Sequence, residues 1–140
     1  MFIIRAYLDA DLEDIFSLSE TCDLTRPWNN PEIDIFRKSA QKDGLFLVAV
    51  KDQELIATLM GGYDGHRGWV NYLAVHPHHQ RNGVATALIQ HLEKRLIALG
   101  CPKLQLLINK ENIEVHSFYE QMGFEEIEVV CLGKRLIRDN

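Results

Sequence analysis

The sequence lacks several features that would assign it to a large class of proteins. Its 140 residues contain no run of about 18 apolar residues, the length needed to cross a bilayer as a helix. The first residues show neither the basic start nor the long apolar region of a secretion signal. Positive charge is scarce as well: the formal net charge is −5, whereas nucleic-acid binding needs a basic surface. We therefore expect a cytoplasmic protein that binds neither membranes nor nucleic acid.

Cysteine is also sparse. The three cysteines, Cys22, Cys101 and Cys131, are widely spaced and form no Cys-x-x-Cys pair. An odd number at this spacing favours reduced, structural thiols over a disulfide framework. The loop His76-Pro77-His78-His79 has no carboxylate or cysteine at ligand spacing around it, so we predict no metal site.

Local patterns predict a single α/β domain over residues 1–140, because no linker or repeat interrupts the chain. Apolar runs between turn residues predict strands, and apolar residues at helical spacing predict helices. The predicted order is β-α-α-β-β-β-α-β-α-β in a mixed sheet. The predicted strands cover residues 2–7, 45–50, 55–60, 69–75 and 103–108, with one or two more between 124 and 137.

The predicted helix ends follow from capping residues. Asp9 is expected to cap the first helix, and Asn30, followed by proline, the second. On the second helix Ile33, Phe36 and Ala40 are expected to share the buried side. The third and fourth helices are predicted over 84–99 and 112–122.

The segment Gln80-Arg81-Asn82-Gly83-Val84-Ala85 is the most informative part of the chain. It joins a predicted strand to a long predicted helix through a glycine. Backbone N–H groups and the positive end of the helix dipole then converge on one spot, which suits a pyrophosphate. A glycine that opens a helix is also common in plain turns, so the pattern alone leaves both interpretations open.

This segment resembles the acyl-CoA signature of the GNAT superfamily of N-acetyltransferases, Gln-x-x-Gly-x-Ala after a strand that ends Leu-Ala-Val-His-Pro. Downstream, Asn112-x-x-Val115-x-x-x-Tyr119-x-x-x-Gly123-Phe124 is similar to the Asn…Tyr…Gly-Phe segment of that family. Upstream, Ile4-Arg5-Ala6 resembles its first strand. The resemblance implies a mostly antiparallel sheet that is splayed between strands 69–75 and 103–108, with acetyl-CoA in the gap.

Two further segments suggest the small bacterial subgroup called YpeA-like. They are Arg26-Pro27-Trp28-Asn29 and the glycine-rich stretch 61–68. The glycines of this stretch either make the connection flexible enough to fold over a site or serve as ordinary turns. Trp28 and Asn29 either shape the acceptor pocket or simply pin a turn.

The resemblance also implies roles for individual residues. The cofactor-binding residues are expected to be Leu73, Ala74, Val75, Arg81, Asn82, Gly83, Val84, Ala85, Thr86 and Asn112. Main-chain groups would make most of these contacts; Arg81 is equally well explained as a solvated loop charge, and Asn112 as a helix cap. Tyr119 would be the general acid that hands a proton to the departing thiolate; the pKa of a phenol is about 10 and that of a thiol about 8.5. Without the family pattern Tyr119 would be an aromatic residue at the edge of the core.

The general base is not assigned by the resemblance. GNAT enzymes of the ribosomal-protein type carry a glutamate five residues before the asparagine, where this chain has Leu107. The open candidates are Glu111, Asp64, His66, Tyr72 and a water relay.

These features together predict an acetyl-CoA-dependent N-acetyltransferase that acts by direct attack in a ternary complex. The expected acceptor is a primary amine on a small molecule, ahead of a protein lysine or N-terminus. A non-catalytic sensor of acyl-CoA is the alternative. A homodimer through an exposed edge of the final strands is a further expectation.

Overall fold

The computed structural model describes residues 1–24 and 30–139. They fall into two compact units, Met1–Leu106 and Leu107–Asn140. The predicted turn Arg26-Pro27-Trp28-Asn29 lies outside the described residues, so both interpretations of it stay open. Over the described ranges, no helix has both the length and the apolar character needed to cross a membrane.

A five-stranded mixed sheet forms the centre of the first unit. Its strands are β1 (Ile3–Ala6), β2 (Phe46–Lys51), β3 (Glu54–Tyr63), β4 (Gly68–Val75) and β5 (Leu104–Leu106). They lie side by side in that order; the first four are antiparallel, and β5 pairs parallel to β4. The predicted α/β class with a mixed, mostly antiparallel sheet is confirmed.

Four α-helices accompany these strands in the described part of the chain. They are α1 (Leu12–Thr21), α2 (Pro31–Ser39) and α3 (Val84–Ala98) in the first unit, and α4 (Ile113–Gln121) in the second. The amide of Cys101 bonds to the carbonyl of Leu96, and that of Gly100 to Ile97, at the end of α3. Gly100, at φ 84°, thus ends α3 with the turn that glycine favours.

The core of the first unit has two faces because side chains alternate across a strand. On one face, Phe46 and Val48 of β2 pack with Ile15 of α1 and Ile35 of α2. On the other face lie the fully buried side chains of α3, including Leu92, whose tip meets the backbone at Gly61 of β3. The sheet therefore lies between α1 and α2 on one side and α3 on the other.

The two N-terminal helices correct two predictions. Asp9 does not cap the first helix: residues Asp9–Asp11 form a short 3-10 turn, and α1 begins at Leu12. Asn30 does cap α2, and its side chain accepts the N–H of Glu32 at 3.1 Å. The buried side of α2 was predicted wrongly, since Phe36 is 64% exposed.

The buried side of α2 carries Ile35 and the aliphatic stem of Lys38 instead. The Lys38 ammonium reaches Gln41 at 3.0 Å and Asp43 at 2.7 Å. Because these partners satisfy its charge, the stem packs as an apolar group. Periodicity alone does not distinguish this stripe from the one through Phe36.

The glycines at 61 and 62 belong to β3 and not to a flexible connection. β3 continues to Tyr63, and Gly61 and Gly62 pair with Val70 and Trp69 of β4. The connection itself is a short turn over Asp64–Arg67, closed by the Asp64 side chain.

The predicted final strands between 124 and 137 do not form in the described residues. Their apolar side chains are exposed, as with Val130 at 84% and Leu132 at 90%. Apolar residues specify a strand only where a second strand completes the ladder and a core accepts one face. The proposed edge for a homodimer is therefore missing, and the homodimer stays a prediction without that basis.

Candidate functional site

An irregular point in β4 marks the first part of the candidate site. Asn71 pairs with Met60 of β3, and Ala74 pairs with Thr58, so two residues of β4 face the single residue Leu59. This is a β-bulge, which bends and twists the strand that carries the extra residue. The first bulged residue, Tyr72, has a φ of 46°, in the left-handed region.

The edge of β4 is already open where this irregularity begins. The parallel ladder with β5 covers only Gly68 to Val70, against Leu104 to Leu106. From Asn71 to Val75 no described strand pairs with this edge of β4. The ladder between these two strands therefore ends within the first unit, at the place where the resemblance implies splaying.

Backbone direction shows which groups face the open edge. The N–H of His76 donates to the carbonyl of Ile56 on β3, at 2.8 Å. Because N–H groups of successive residues alternate in an antiparallel pair, the N–H of Val75 points to the open edge. The carbonyl of Val75 accepts from Gln80 Nε2 at 3.2 Å and lies 3.5 Å from the Cys22 thiol.

The loop between β4 and α3 then reverses the chain. A 3-10 turn at Pro77–His79 is capped by the His76 ring, which accepts the N–H of His78. Arg81, at φ 66°, and Gly83, at φ 78°, both adopt the left-handed conformation. A Cβ at Gly83 would meet no protein atom within 4 Å, so glycine is needed there for its backbone conformation and not to relieve crowding in the protein.

The N-terminus of α3 presents unpaired donors at the end of this loop. The first closing bond runs from the N–H of Ala87 to the carbonyl of Gly83, at 3.0 Å. Within the described residues, the N–H groups of Val84, Ala85 and Thr86 find no acceptor. Three converging donors at the positive end of a 15-residue helix are an arrangement that favours the binding of an anion.

The residues predicted around the pyrophosphate therefore lie together. Arg81, Asn82 and Gly83 are exposed in the loop, and Arg81 makes no side-chain bond to a described residue. Val84 is buried and fixes the first turn, while Ala85 and Thr86 are half-buried. Leu73 and Val75 are half-buried on β4, and Ala74 is buried.

The second unit carries the other two predicted site residues on one helix. Asn112 caps α4: its Oδ1 accepts the N–H of Val115 at 3.3 Å. Phe124 donates its N–H to the carbonyl of Tyr119, and Gly123, at φ 92°, donates to Glu120. This glycine-terminated turn places the Phe124 ring 5.3 Å from the Tyr119 ring. The Gly-Phe pair thus ends the helix and packs its tyrosine.

Tyr119 is an unusual buried side chain. It is 6% exposed, and its hydroxyl has no hydrogen-bond partner among the described residues. Burial raises the pKa of Tyr119 to about 12, because the phenolate would lose its hydration. A buried hydroxyl without a partner is costly and is typical of a site that a ligand completes.

Two of the predicted general bases lie at the start of β4, far along the strand from Ala74. Asp64 and His66 are in the turn before Gly68, and about 20 Å of strand separates that turn from Ala74. The N–H groups of Arg67 and His66 donate to the Asp64 carboxylate and hold its pKa below the usual value. A base must lie within hydrogen-bond reach of its proton, so this distance from Ala74 counts against both residues if the acceptor binds at the open edge of β4.

One residue of the first unit was missed by the sequence analysis. Asp34 on α2 accepts a hydrogen bond from the Tyr72 hydroxyl, at 2.6 Å. An acidic residue in the first turn of a helix looks like ordinary dipole compensation, so the sequence carries no signal for this contact. Tyr72 itself was predicted only as one of several bases.

Comparison with known proteins identifies the family. Residues 10–124 match the model of the Acetyltransferase (GNAT) family. The chain belongs to this family. Its members use acetyl-CoA, and the chain is an N-acetyltransferase by family, as the sequence analysis predicts.

Solved GNAT structures share the fold at low sequence identity. The PaiA N-acetyltransferase from Thermoplasma acidophilum, in complex with coenzyme A, has a TM-score of 0.82 at 18% identity, over 93% of each chain. The aminoglycoside antibiotic 6'-N-acetyltransferase from Acinetobacter haemolyticus has a TM-score of 0.73 at 24% identity, over 97% of this chain and 99% of the other. The ribosomal-protein alanine N-acetyltransferase from Escherichia coli reaches 0.78 at 22% identity, over 91% and 79%.

Proposed function

We propose that this GNAT protein acetylates a primary amine on a small molecule, by direct attack of the amine in a ternary complex with acetyl-CoA. The observation that carries the proposal is the set of N–H groups at Val84, Ala85 and Thr86 that find no acceptor among the described residues, together with the outward N–H of Val75. Both parts belong to the first unit and follow each other along the chain.

These donors fit the chemistry of coenzyme A. The amides at the start of α3 suit a pyrophosphate, and the open edge of β4 suits the amides of a pantetheine arm. Arg81 adds one positive charge, but an exposed charge is strongly screened, so the oriented amides dominate. Bound acetyl-CoA supplies an activated acyl thioester, and this chain has to hold and orient it.

The thiols support direct attack over a covalent acyl-enzyme. Cys22 is the cysteine beside Val75, and burial raises the pKa of its thiol. Little thiolate is then present at neutral pH, and the thiolate is the nucleophile. Cys101 occupies the turn after α3, where its thiol bonds to the carbonyl of Lys103 at 3.4 Å.

For Tyr119 we propose a narrower role than full proton transfer. With a pKa of about 12, its proton would move to a thiolate, whose conjugate acid has a pKa of about 8.5, at a cost of ~5 kcal/mol. The hydroxyl therefore keeps its proton and donates a hydrogen bond where negative charge develops on sulfur. For Asn112, the cap uses Oδ1 and leaves the amide NH₂ to donate to the cofactor arm.

We propose that solvent accepts the proton of the amine. Asp64 and His66 are distant along β4, and the Tyr72 hydroxyl is engaged with Asp34. Glu111 remains the other protein candidate; its side chain is exposed in the turn before α4. If solvent is the acceptor, Glu111→Gln retains kcat within about threefold; a loss above 10²-fold would make Glu111 the base.

A small acceptor is favoured over a peptide for two reasons. The glutamate of the ribosomal-protein type is replaced by Leu107, which is exposed in the second unit. The aminoglycoside acetyltransferase, which is named for a small-molecule acceptor, matches over 99% of its length, and this supports the proposal. We also propose the YpeA-like subgroup and a single N-acetyltransferase domain over residues 1–140, a span of which the family model covers 10–124.

Release of free coenzyme A thiol from acetyl-CoA tests the proposal. The panel contains aminoglycosides, amino sugars, polyamines, and peptides with a free lysine or N-terminus. Saturable release with a small amine at a higher kcat/KM than with any peptide supports it. Higher kcat/KM with a peptide would move the acceptor class to proteins. Tight coenzyme A binding without release across the whole panel would support the acyl-CoA sensor instead.

A further inference from the structure

Tyr72 has a backbone conformation that normally belongs to glycine. At φ 46° it is the first residue of the β4 bulge, and in bulges of this left-handed kind that position is typically glycine. A side chain in this conformation costs free energy and persists only where the surroundings hold it. The contacts of the tyrosine side chain therefore have to compensate for the strain.

Two sets of contacts with other described residues help to hold this side chain. The hydroxyl of Tyr72 donates to Oδ2 of Asp34 at 2.6 Å, a short bond to a carboxylate. The ring packs against the apolar cluster on the α1 and α2 face of the sheet, which includes Ile35, one residue after Asp34. Asp34 is itself fixed in the first turn of α2, because Asn30 caps that helix.

The bulge determines how the next part of β4 is presented. Tyr72 and Leu73 lie at the point where the ladder with β5 has ended and the open edge begins. A change at Tyr72 would rotate the backbone that leads to Ala74 and Val75. The N–H and carbonyl groups proposed to hold the thioester and pantetheine arm lie on that backbone.

We propose that Asp34 is a positioning residue: through its hydrogen bond to Tyr72 it holds the β4 bulge and so orients the open edge of β4. The inference rests on the proposed function for its consequence in catalysis. It assigns to α2 a part in aligning the acyl group and gives Tyr72 a role other than general base.

Four variants of the full chain test the proposal. Tyr72→Phe removes the hydroxyl and retains the ring. Asp34→Ala removes the acceptor, whereas Asp34→Asn retains an oxygen that still accepts the hydrogen bond. Tyr7→Phe is the matched control, because Tyr7 packs against the same cluster and its hydroxyl bonds to the carbonyl of Ser39, away from β4.

Amide hydrogen exchange without coenzyme A is the first readout. In wild type, the N–H groups of Ala74 and His76 bond to β3. We expect several-fold faster exchange at both in Tyr72→Phe and Asp34→Ala, and wild-type exchange in Asp34→Asn and Tyr7→Phe. Equal exchange in all five proteins, or the same acceleration in Tyr7→Phe, would overturn the proposal.

Steady-state kinetics with the best amine of the panel is the second readout. We expect kcat to fall about tenfold or more in Tyr72→Phe and Asp34→Ala, with coenzyme A affinity within twofold of wild type, because the pyrophosphate donors on α3 are untouched. Asp34→Asn should regain most of kcat, and the pH dependence of kcat should keep its wild-type shape. Loss of a limb of the pH profile in Tyr72→Phe would make Tyr72 the general base. A fall in kcat in Asp34→Asn equal to that in Asp34→Ala would give the direct role to the carboxylate charge. Either result overturns the positioning role.

The exchange readout separates this inference from the proposed function. If wild type transfers acetyl to no amine, the proposed function fails, while the exchange pattern still tests whether Asp34 holds the bulge. If wild type is active and all four variants match it, the proposed function stands and the positioning role fails.

Discussion

Gly61 of β3 and Leu92 of α3 are in direct contact across the sheet–helix interface. A Cβ on Gly61 would come within 2.5 Å of Leu92 Cδ1 and within 2.8 Å of the carbonyl oxygen of Leu45. The missing side chain therefore sets how closely α3 approaches the sheet. Since α3 also carries the proposed pyrophosphate site at its N-terminus, this contact helps to place that end of the helix.

Gly61→Ala is expected to destabilise the fold by about 1–3 kcal/mol, the usual cost of overpacking a core. Neither the Leu45 backbone nor the fully buried Leu92 side chain has room to move. Gly62→Ala is the matched control, because its Cβ would meet only Lys38 Nζ, at 3.9 Å. Urea unfolding measures both, and equal stability of the two variants would contradict the close contact.

Gly83→Ala is expected to weaken coenzyme A binding about tenfold, or ~1.4 kcal/mol. Alanine disfavours the left-handed conformation at φ 78°, so the loop would shift and misalign the first amides of α3. Gly100→Ala is the control: Gly100 has φ 84° at the other end of α3, and a Cβ there would also meet nothing within 4 Å. Both should lose similar stability, about 1 kcal/mol. Calorimetric titration that finds equal affinity in both variants would argue against the loop as the pyrophosphate site.

Tyr119→Phe is expected to lower kcat by about 10²-fold and to leave coenzyme A affinity unchanged. The ring contacts with Phe118 and Phe124 remain, and the hydroxyl has no partner among the described residues, so stability at neutral pH should not fall. Undiminished kcat in this variant, measured by thiol release, would remove Tyr119 from the catalytic groups.

The raised pKa of Tyr119 also predicts a stability change at high pH. The unfolded chain releases this proton near pH 10, whereas the folded protein retains it to about pH 12. The unfolded state then binds fewer protons, so the free energy of unfolding should decrease as pH rises between these values. Tyr119→Phe should show less of this decrease, by urea unfolding at several pH values.

Cys22→Ala is expected to retain kcat within about threefold, because a half-buried thiol of raised pKa is a poor nucleophile. Mass spectrometry of wild type during turnover should detect no covalently acetylated protein. A stable acetyl adduct that disappears in Cys22→Ala, together with loss of turnover, would replace direct attack by an acyl-enzyme route.

The sequence predicted the elements that are specified locally. Asn30 and Gly100 mark helix ends through side-chain capping and a left-handed backbone, and both signals depend on a few neighbouring residues. The glycine turn that opens α3 was predictable for the same reason, since Gly83 and the start of α3 are adjacent in sequence. The family resemblance added the expectation of a splayed sheet, which periodicity does not provide.

The features that were missed depend on contacts between distant parts of the chain. The buried side of α2 depends on the ion pair of Lys38 with Asp43, five residues further along the chain. It also depends on packing against β2. The Asp34–Tyr72 bond joins residues 38 positions apart. The absence of strands after Phe124 reflects the lack of a pairing partner in the described residues, which no local pattern reports. Tertiary context decides each of these cases.

Amide NMR of the full chain during titration with coenzyme A is the most direct test of the central claim. The account predicts saturable shift changes concentrated at Gly83, Val84, Ala85 and Thr86, with a second group at Val75 and its β4 neighbours. Saturating coenzyme A that leaves these amides unshifted, or that shifts a different region instead, would contradict it.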